Sequence, residues 1–238
     1  MAKQSMKQIL QGNSYPGRGI VLGCDETGDV LCAYFIMGRS QNSRNRVFVM
    51  TDPDTLETRA YDPSQMKDPS LIIYAPVRRM DGKRWIITNG NQTDTIRDAL
   101  LLGGTFESAL RSRTFEPDAP NWTPRISAMV SELNGSPFFR FSILKSMEGD
   151  PSCTQRQFFE YENPRKGEGF FLHTYQGDGN PLPSFAGEPE PVAVHGDLDT
   201  WTHNVWESLD QENRISLFTC KIQISSGEWD LRVVNKYQ

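Results

Sequence analysis

The sequence predicts an α+β domain in which antiparallel sheets pack on one another and helices cover their outer faces. Three observations predict it. About ten strand-like runs, separated by turn signals, outnumber roughly three or four helical patterns. The two kinds of segment do not alternate, which argues against a doubly wound parallel sheet. Finally, a chain of 238 residues buries roughly 70% of its unfolded surface, enough for one core without disulfide or metal staples.

The elements follow in order. Residues 1–11 carry Met6, Ile9 and Leu10 at helical spacing, and Gly12 stops the helix. Residues 19–24 and 30–37 are apolar runs rich in β-branched and aromatic residues, joined by the turn Asp25-Glu26-Thr27-Gly28-Asp29, and 46–50 is expected to continue that sheet. A second hairpin, 71–77 with 84–88, turns at Met80-Asp81-Gly82-Lys83. The period then changes. Ile96, Ala99, Leu100 and Leu102 mark a helix over 93–102, capped by Thr93 or Asp94 and stopped by Gly103-Gly104. Thr105 opens another through Phe106, Ala109 and Leu110. Strands resume at 124–130 and 138–144 around Asn134-Gly135, then at 157–161 and 169–175. A long loop over 176–191 leads to a helix at 199–209, capped by Asp199 or Thr200, and strands at 217–224 and 229–234 close the chain.

Composition narrows the function. The charged fraction of 23% and apolar fraction of 37% exclude wholesale disorder, and the net charge of -5 excludes a general basic field for nucleic acid. No apolar run approaches the ~20 residues of a membrane span. The polar start lacks a signal-peptide pattern, so the chain is expected in the cytoplasm. Cys24, Cys32, Cys153 and Cys220 form no C-x-x-C pair and read as reduced thiols.

Common catalytic signatures are missing: no phosphate-binding G-x-x-x-x-G-K-[ST], no H-E-x-x-H and no G-x-S-x-G. His195, Asp197, Asp199 and His203 fit no metal-ligand spacing and read as a loop entering an Asp-capped helix; no metal is expected. Arginines say more. Arg18 opens the first strand, and Arg39, Arg44 and Arg46 lie among Ser40, Asn42, Ser43 and Asn45. Guanidinium forks with hydroxyl and amide groups make a cradle for a phosphate monoester, or a solvated loop, and both readings stay open. Asn89 stands where a strand runs into a helix N-terminus, placed to bind a carboxamide-like edge, with plain capping by Thr93 and Asp94 as the alternative. Tyr74 in an apolar run, Glu116 after a helix and Arg125 at a strand start are weak signals singly.

Their order carries more. Tyr15-x-Gly17-Arg18, Gly38-Arg39-Ser40 with Asn45-Arg46, Tyr74 with Val77-Arg78, Asn89-Gly90 with Thr93-Asp94-Thr95-Ile96, and Thr123-Pro124-Arg125-Ile126 with Asn134-Gly135-Ser136 follow one another. This succession resembles the archaeal-type inosine monophosphate (IMP) cyclohydrolase family over roughly residues 14–145. The loop-rich region 148–192 matches poorly, and Arg44 and Arg46 both remain candidates for one family position.

The resemblance implies one domain over residues 1–238, a four-layer αββα sandwich like that of the N-terminal-nucleophile hydrolases. It does not imply nucleophile chemistry, because neither Met1 nor Ala2 offers a nucleophile. The implied reaction closes the purine ring of 5-formamidoimidazole-4-carboxamide ribonucleotide, giving IMP and water without a cofactor. Catalysis would fall to Tyr74, Glu116 and Arg39, with Asp94 and Asp118 as the next carboxylates; binding would fall to Arg18, Arg46, Asn89, Thr93, Asp94, Thr123 and Arg125. The expected partner is a purine ribonucleotide, with room for a homo-oligomer and none for nucleic acid or membrane. Two rival functions are a non-catalytic nucleotide-binding paralogue and an amide hydrolase using Cys24.

Overall fold

Every residue of the second strand is buried, because both faces of the central hairpin are covered. A computed structural model describes residues 3–66, 69 and 71–237. In β1 (Arg18–Cys24) and β2 (Val30–Met37), the period of two sends Ile20, Leu22, Cys32, Tyr34 and Ile36 to one face. Val21, Leu31, Ala33 and Phe35 go to the other, against Met6 and Leu10 of α1 (Met6–Gln11) and Trp201 and Val205 of a later helix.

The chain then leaves this sheet. Segments β3 (Val47–Asp52), β4 (Thr55–Arg59), β5 (Val77–Met80), β6 (Arg84–Thr88), β7 (Arg125–Leu133), β8 (Ser136–Met147) and β9 (Asp150–Glu162) pair in sequence order as a seven-stranded antiparallel sheet. Then β10 (Glu168–His173), β11 (Glu190–Ala193), β12 (Arg214–Ile222) and β13 (Trp229–Asn235) return to the first, in the order β11-β10-β1-β2-β12-β13. Trp85, Ile87, Ile126, Ala128, Phe139, Phe141 and Ile143 meet the inner face of the first sheet. Ile86, Met129 and Leu144 face outward, onto Ile96 of α3 (Gln92–Leu101) and Phe106 and Leu110 of α4 (Phe106–Leu110). Helix α5 (Leu198–Ser208) covers the first sheet beside α1. The α+β architecture of two antiparallel sheets with few helices is as expected, although the described residues form thirteen strands.

Several local expectations need correction. Strand β3 does not extend the first sheet but edges the second, beside the unforeseen β4. Residues 71–76 are irregular: Pro76 lacks an N–H, and Thr58 serves the segment instead, its N–H donating to Tyr74 O at 2.9 Å and its Oγ1 to Ile72 O at 2.6 Å. Strand β11 lies where a continuous loop was expected. Helix α3 starts at Gln92, with Asn91 at the cap position, so Thr93 and Asp94 lie inside it, and α5 is capped by Asp197, whose carboxylate accepts from Thr200 N at 2.8 Å. The expectation about Met1 and Ala2 falls outside the described residues. No helix among those described is long and apolar enough to cross a membrane.

Candidate active site

Polar side chains gather where strands end at one mouth of the sandwich. Arg18 faces the gap between the sheets because it shares register with Ile20 and Leu22. Arg46 precedes β3; its Nε donates to Ser43 O at 2.8 Å and its Nη2 to Met37 O at 3.2 Å, so the 38–46 turn holds it rigidly. Tyr74 precedes β5, and its hydroxyl meets the Tyr34 hydroxyl at 2.9 Å. Glu116 lies on a loop closed by its own N–H donating to Thr123 O at 2.9 Å. Thr123 Oγ1 donates to Asp118 and therefore accepts from the Tyr175 hydroxyl, 2.6 Å away. Arg125 Nη1 donates to Gln92 Oε1 at 2.9 Å.

The cluster is almost dry. Glu116 is 2% exposed, Arg46 1% and Arg125 7%. Glu116 approaches Arg18 at 4.0 Å and Arg125 at 3.9 Å, both longer than a hydrogen bond. Glu116 Oε1, Arg18 Nε and Arg46 Nη1 are buried and have no hydrogen-bond partner among the described residues. Native interiors rarely leave such groups orphaned, and three in one place make this the candidate site. Its charge is unbalanced too: three guanidiniums surround one buried carboxylate, which suits the cluster to an anion.

Burial sets the proton affinities. It pushes the Glu116 carboxyl up, with Arg18 and Arg125 pulling it partly back. Burial likewise raises the Tyr74 phenol against the opposing pull of Arg46 and Arg18, so Tyr74 is a neutral donor near pH 7. Burial lowers Arg46, and Arg18 beside it adds to that. Burial alone would lower Arg18 too, but Glu116 and the tyrosines hold it above its ordinary value. A carboxylate of raised basicity beside a phenol and arginines can take a proton and stabilise a developing oxyanion.

Of the residues singled out from sequence, Arg18, Arg46, Tyr74, Glu116, Thr123 and Arg125 come together. Arg46 rather than Arg44 joins them; Arg44 is spent on Gly38 O and Asn213. Four others are placed differently. Arg39 stays at the rim, paired with Asp178 and lying 4.9 Å over the Tyr15 ring. Asn89 is scaffold: its Nδ2 donates to Pro124 O, and its Oδ1 accepts from Ile126 N and Gln92 Nε2, which uses the carboxamide up. Thr93 bonds Thr88 and Gly90 O, and Asp94 pairs outward with Arg78 and Arg97. Tyr34, Tyr175 and Gln92 were missed. Tyr34 was findable, since the period of two puts it on the inner face with Cys32 and Ile36; nothing local marks Tyr175.

Other candidates dissolve. His195 pairs with Glu26, Asp197 caps α5 and Asp199 pairs with Arg232. No three potential metal ligands converge among the described residues. Burial pushes the Cys24 thiol up to about 12, which argues against a thiolate nucleophile.

Gly90 floors the site. A Cβ there would lie 2.4 Å from Arg125 Nη1 and 2.6 Å from Gln92 Oε1. We therefore expect Gly90→Ala to displace the ends of the Arg125 and Gln92 side chains, break their contact and destabilise the fold by about 1 kcal/mol, the low end of the usual cost of overpacking. An unchanged denaturant midpoint would contradict this.

The sequence profile of the family described as IMP cyclohydrolase-like protein matches residues 15–226. The chain is similar to the IMP cyclohydrolase of Methanopyrus kandleri, 30% identical over 165 residues, which is 68% of this chain and 75% of that protein. It is also similar to the IMP cyclohydrolase of Methanococcus maripaludis strain C7, 33% identical over 122 residues, and there the aligned part spans 50% of this chain and 59% of the relative.

Proposed function

Because the chain belongs to the IMP cyclohydrolase-like family, a family of enzymes, we propose that it closes the purine ring of 5-formamidoimidazole-4-carboxamide ribonucleotide to give IMP and water. The observation that carries the reading is the dry cluster with surplus positive charge and an orphaned Glu116 oxygen.

The carboxamide nitrogen attacks the formyl carbon of the same molecule, so holding the reactive conformer is the main task. Arg18 and Arg46 supply the positive charge that holds the anionic nucleotide beside Glu116. Glu116 takes one proton from the attacking nitrogen. With Tyr34 donating to Tyr74, the Tyr74 proton is free to bond the formyl oxygen as it becomes anionic. The formamido nitrogen then loses its proton, the carbon–oxygen bond breaks, and the oxygen departs as water with the two protons. Arg39, expected among the catalytic groups, is assigned instead to closing the rim through Asp178.

The helix–sheet–sheet–helix order of the apolar clusters supports an N-terminal-nucleophile-hydrolase-like fold, and the shared intersheet core supports one domain over residues 1–238. The reaction uses a purine ribonucleotide as partner, belongs in the cytoplasm and is compatible with a homo-oligomer. A purified-protein assay following IMP formation by absorbance tests it; tight IMP binding without turnover would favour a non-catalytic role. Since Glu116, Tyr74 and arginines can carry every step, turnover should also survive EDTA. Loss restored by added zinc or magnesium would overturn that expectation.

A further inference from the structure

A second unbalanced charge lies outside the cluster just described. Lys145 sits on β8 in register with Phe139, Phe141 and Ile143, all of which face the intersheet core. Its side chain therefore starts in apolar surroundings at the mouth of the sandwich, and it is 8% exposed. Nζ donates to Phe185 O at 2.7 Å. An ammonium has three N–H bonds, and no other protein acceptor meets this one among the described residues. No carboxylate among them lies within ion-pair distance either. Burial pushes the ammonium below its ordinary value, the sign of a charge that folding has not compensated.

This lysine lines a cleft of about 820 Å³ between the β8–β9 hairpin and residues 181–186. Asn121, Gln155 and Ser184 offer polar groups there, Glu148 adds one carboxylate beyond ion-pair distance of Lys145, and Leu182 and Pro183 offer apolar wall. The cleft is separate from the catalytic cluster. None of Arg18, Arg46, Tyr74, Glu116, Thr123 and Arg125 lines it, and Leu182 N donates to Asn121 Oδ1 at 3.0 Å within its own lining.

We propose that this cleft is a second ligand site, taking a small organic molecule whose phosphate or carboxylate pairs with Lys145. The unused N–H bonds supply the anion contact, and the apolar wall and remaining volume accommodate an organic body rather than a bare ion. The rival account is that Lys145 only latches Phe185 O.

Calorimetric titration of the full chain with inorganic pyrophosphate, and separately with succinate, decides between them. The wild type should bind two pyrophosphates. Lys145→Met should weaken one by tenfold or more and leave the other, whereas Arg46→Met should do the reverse. Succinate competing at the Lys145 site marks the carboxylate source; pyrophosphate alone marks the phosphate source. A readout without a Lys145 variant guards against misfolding: pyrophosphate or succinate should slow reductive methylation of Lys145 at least fivefold, in the wild type and in Arg46→Met alike. A single site lost in Arg46→Met, a second site that persists in Lys145→Met, or methylation of Lys145 unaffected by both probes would each overturn the proposal. None of these measurements depends on ring closure, so failure here is distinct from failure of the cyclohydrolase reading.

Discussion

Glu116→Gln is expected to lower kcat by about 10²–10⁴-fold, the usual worth of general acid–base catalysis, while IMP affinity stays within about threefold. Gln keeps the shape and hydrogen-bonding capacity of the side chain and loses its basicity. The structure sharpens the expectation in two ways. First, burial raises the Glu116 carboxyl, so the acid limb of the kcat profile should lie above the ordinary glutamate value of about 4.3 and vanish in the variant. Because Arg125 opposes that rise, Arg125→Gln should move the limb to still higher pH. Second, the sign of linkage separates catalysis from folding. A carboxyl raised in the folded state contributes stability below its unfolded pKa and loses it as pH rises through the folded one. Above that folded value the ionised side chain is a burden on the native state, and there Glu116→Gln should melt no lower than wild type. A variant with near-normal turnover would refute the assignment, and Asp118, one hydrogen bond from Thr123, would be the next carboxylate to test.

Much of the fold was legible because local chemistry decides it. Met80-Asp81-Gly82-Lys83 and Asn134-Gly135 turn hairpins where their left-handed residues require, at Asp81 (φ 47°), Gly82 (φ 69°), Asn134 (φ 54°) and Gly135 (φ 77°). Thr105 caps α4 through its own hydroxyl. What was not legible depends on distant partners. Residues 71–76 look like a strand by composition, yet Thr58 holds them in irregular backbone. Asn89 carries the same two-way carboxamide whether it meets a ligand or Pro124, Ile126 and Gln92, and only the packing of β6 against β7 reveals which. Arg39 and Arg46 occupy similar sequence surroundings. The short helical turn over Gln41–Arg44 separates them, so that one ends beside Asp178 at the rim and the other in the dry gap beside Arg18. Tyr175 reaches the site only because β10 pairs with β1, which brings the region beyond residue 148 to the mouth.

The largest binding effect should come from Arg46→Met. This guanidinium is held by two backbone carbonyls, no carboxylate pairs with it among the described residues, and one of its nitrogens is orphaned. Folding therefore gains little from the charge, and burial together with Arg18 already lowers its proton affinity. An anionic ligand is the counter-ion that it lacks. Truncating one partner of a buried, hydrogen-bonded charge pair costs about 2–5 kcal/mol. We thus expect IMP affinity to fall by roughly 30- to 4,000-fold, at 1.4 kcal/mol per tenfold. The free protein should respond oppositely: Met fills the space without a buried charge, so its melting temperature should change little. The discriminating readout is their difference. Ligand at 100 times Kd stabilises a fold by about 2.7 kcal/mol; at a concentration that gives the wild type this shift, Arg46→Met should show about a third of it or less. On the proposed mechanism phosphate binding energy holds the reactive conformer, so kcat/KM should fall at least as far as affinity. If Arg46→Met stays folded and binds IMP within threefold of wild type, the phosphate does not sit between Arg18 and Arg46, and the surplus positive charge of the mouth has another partner.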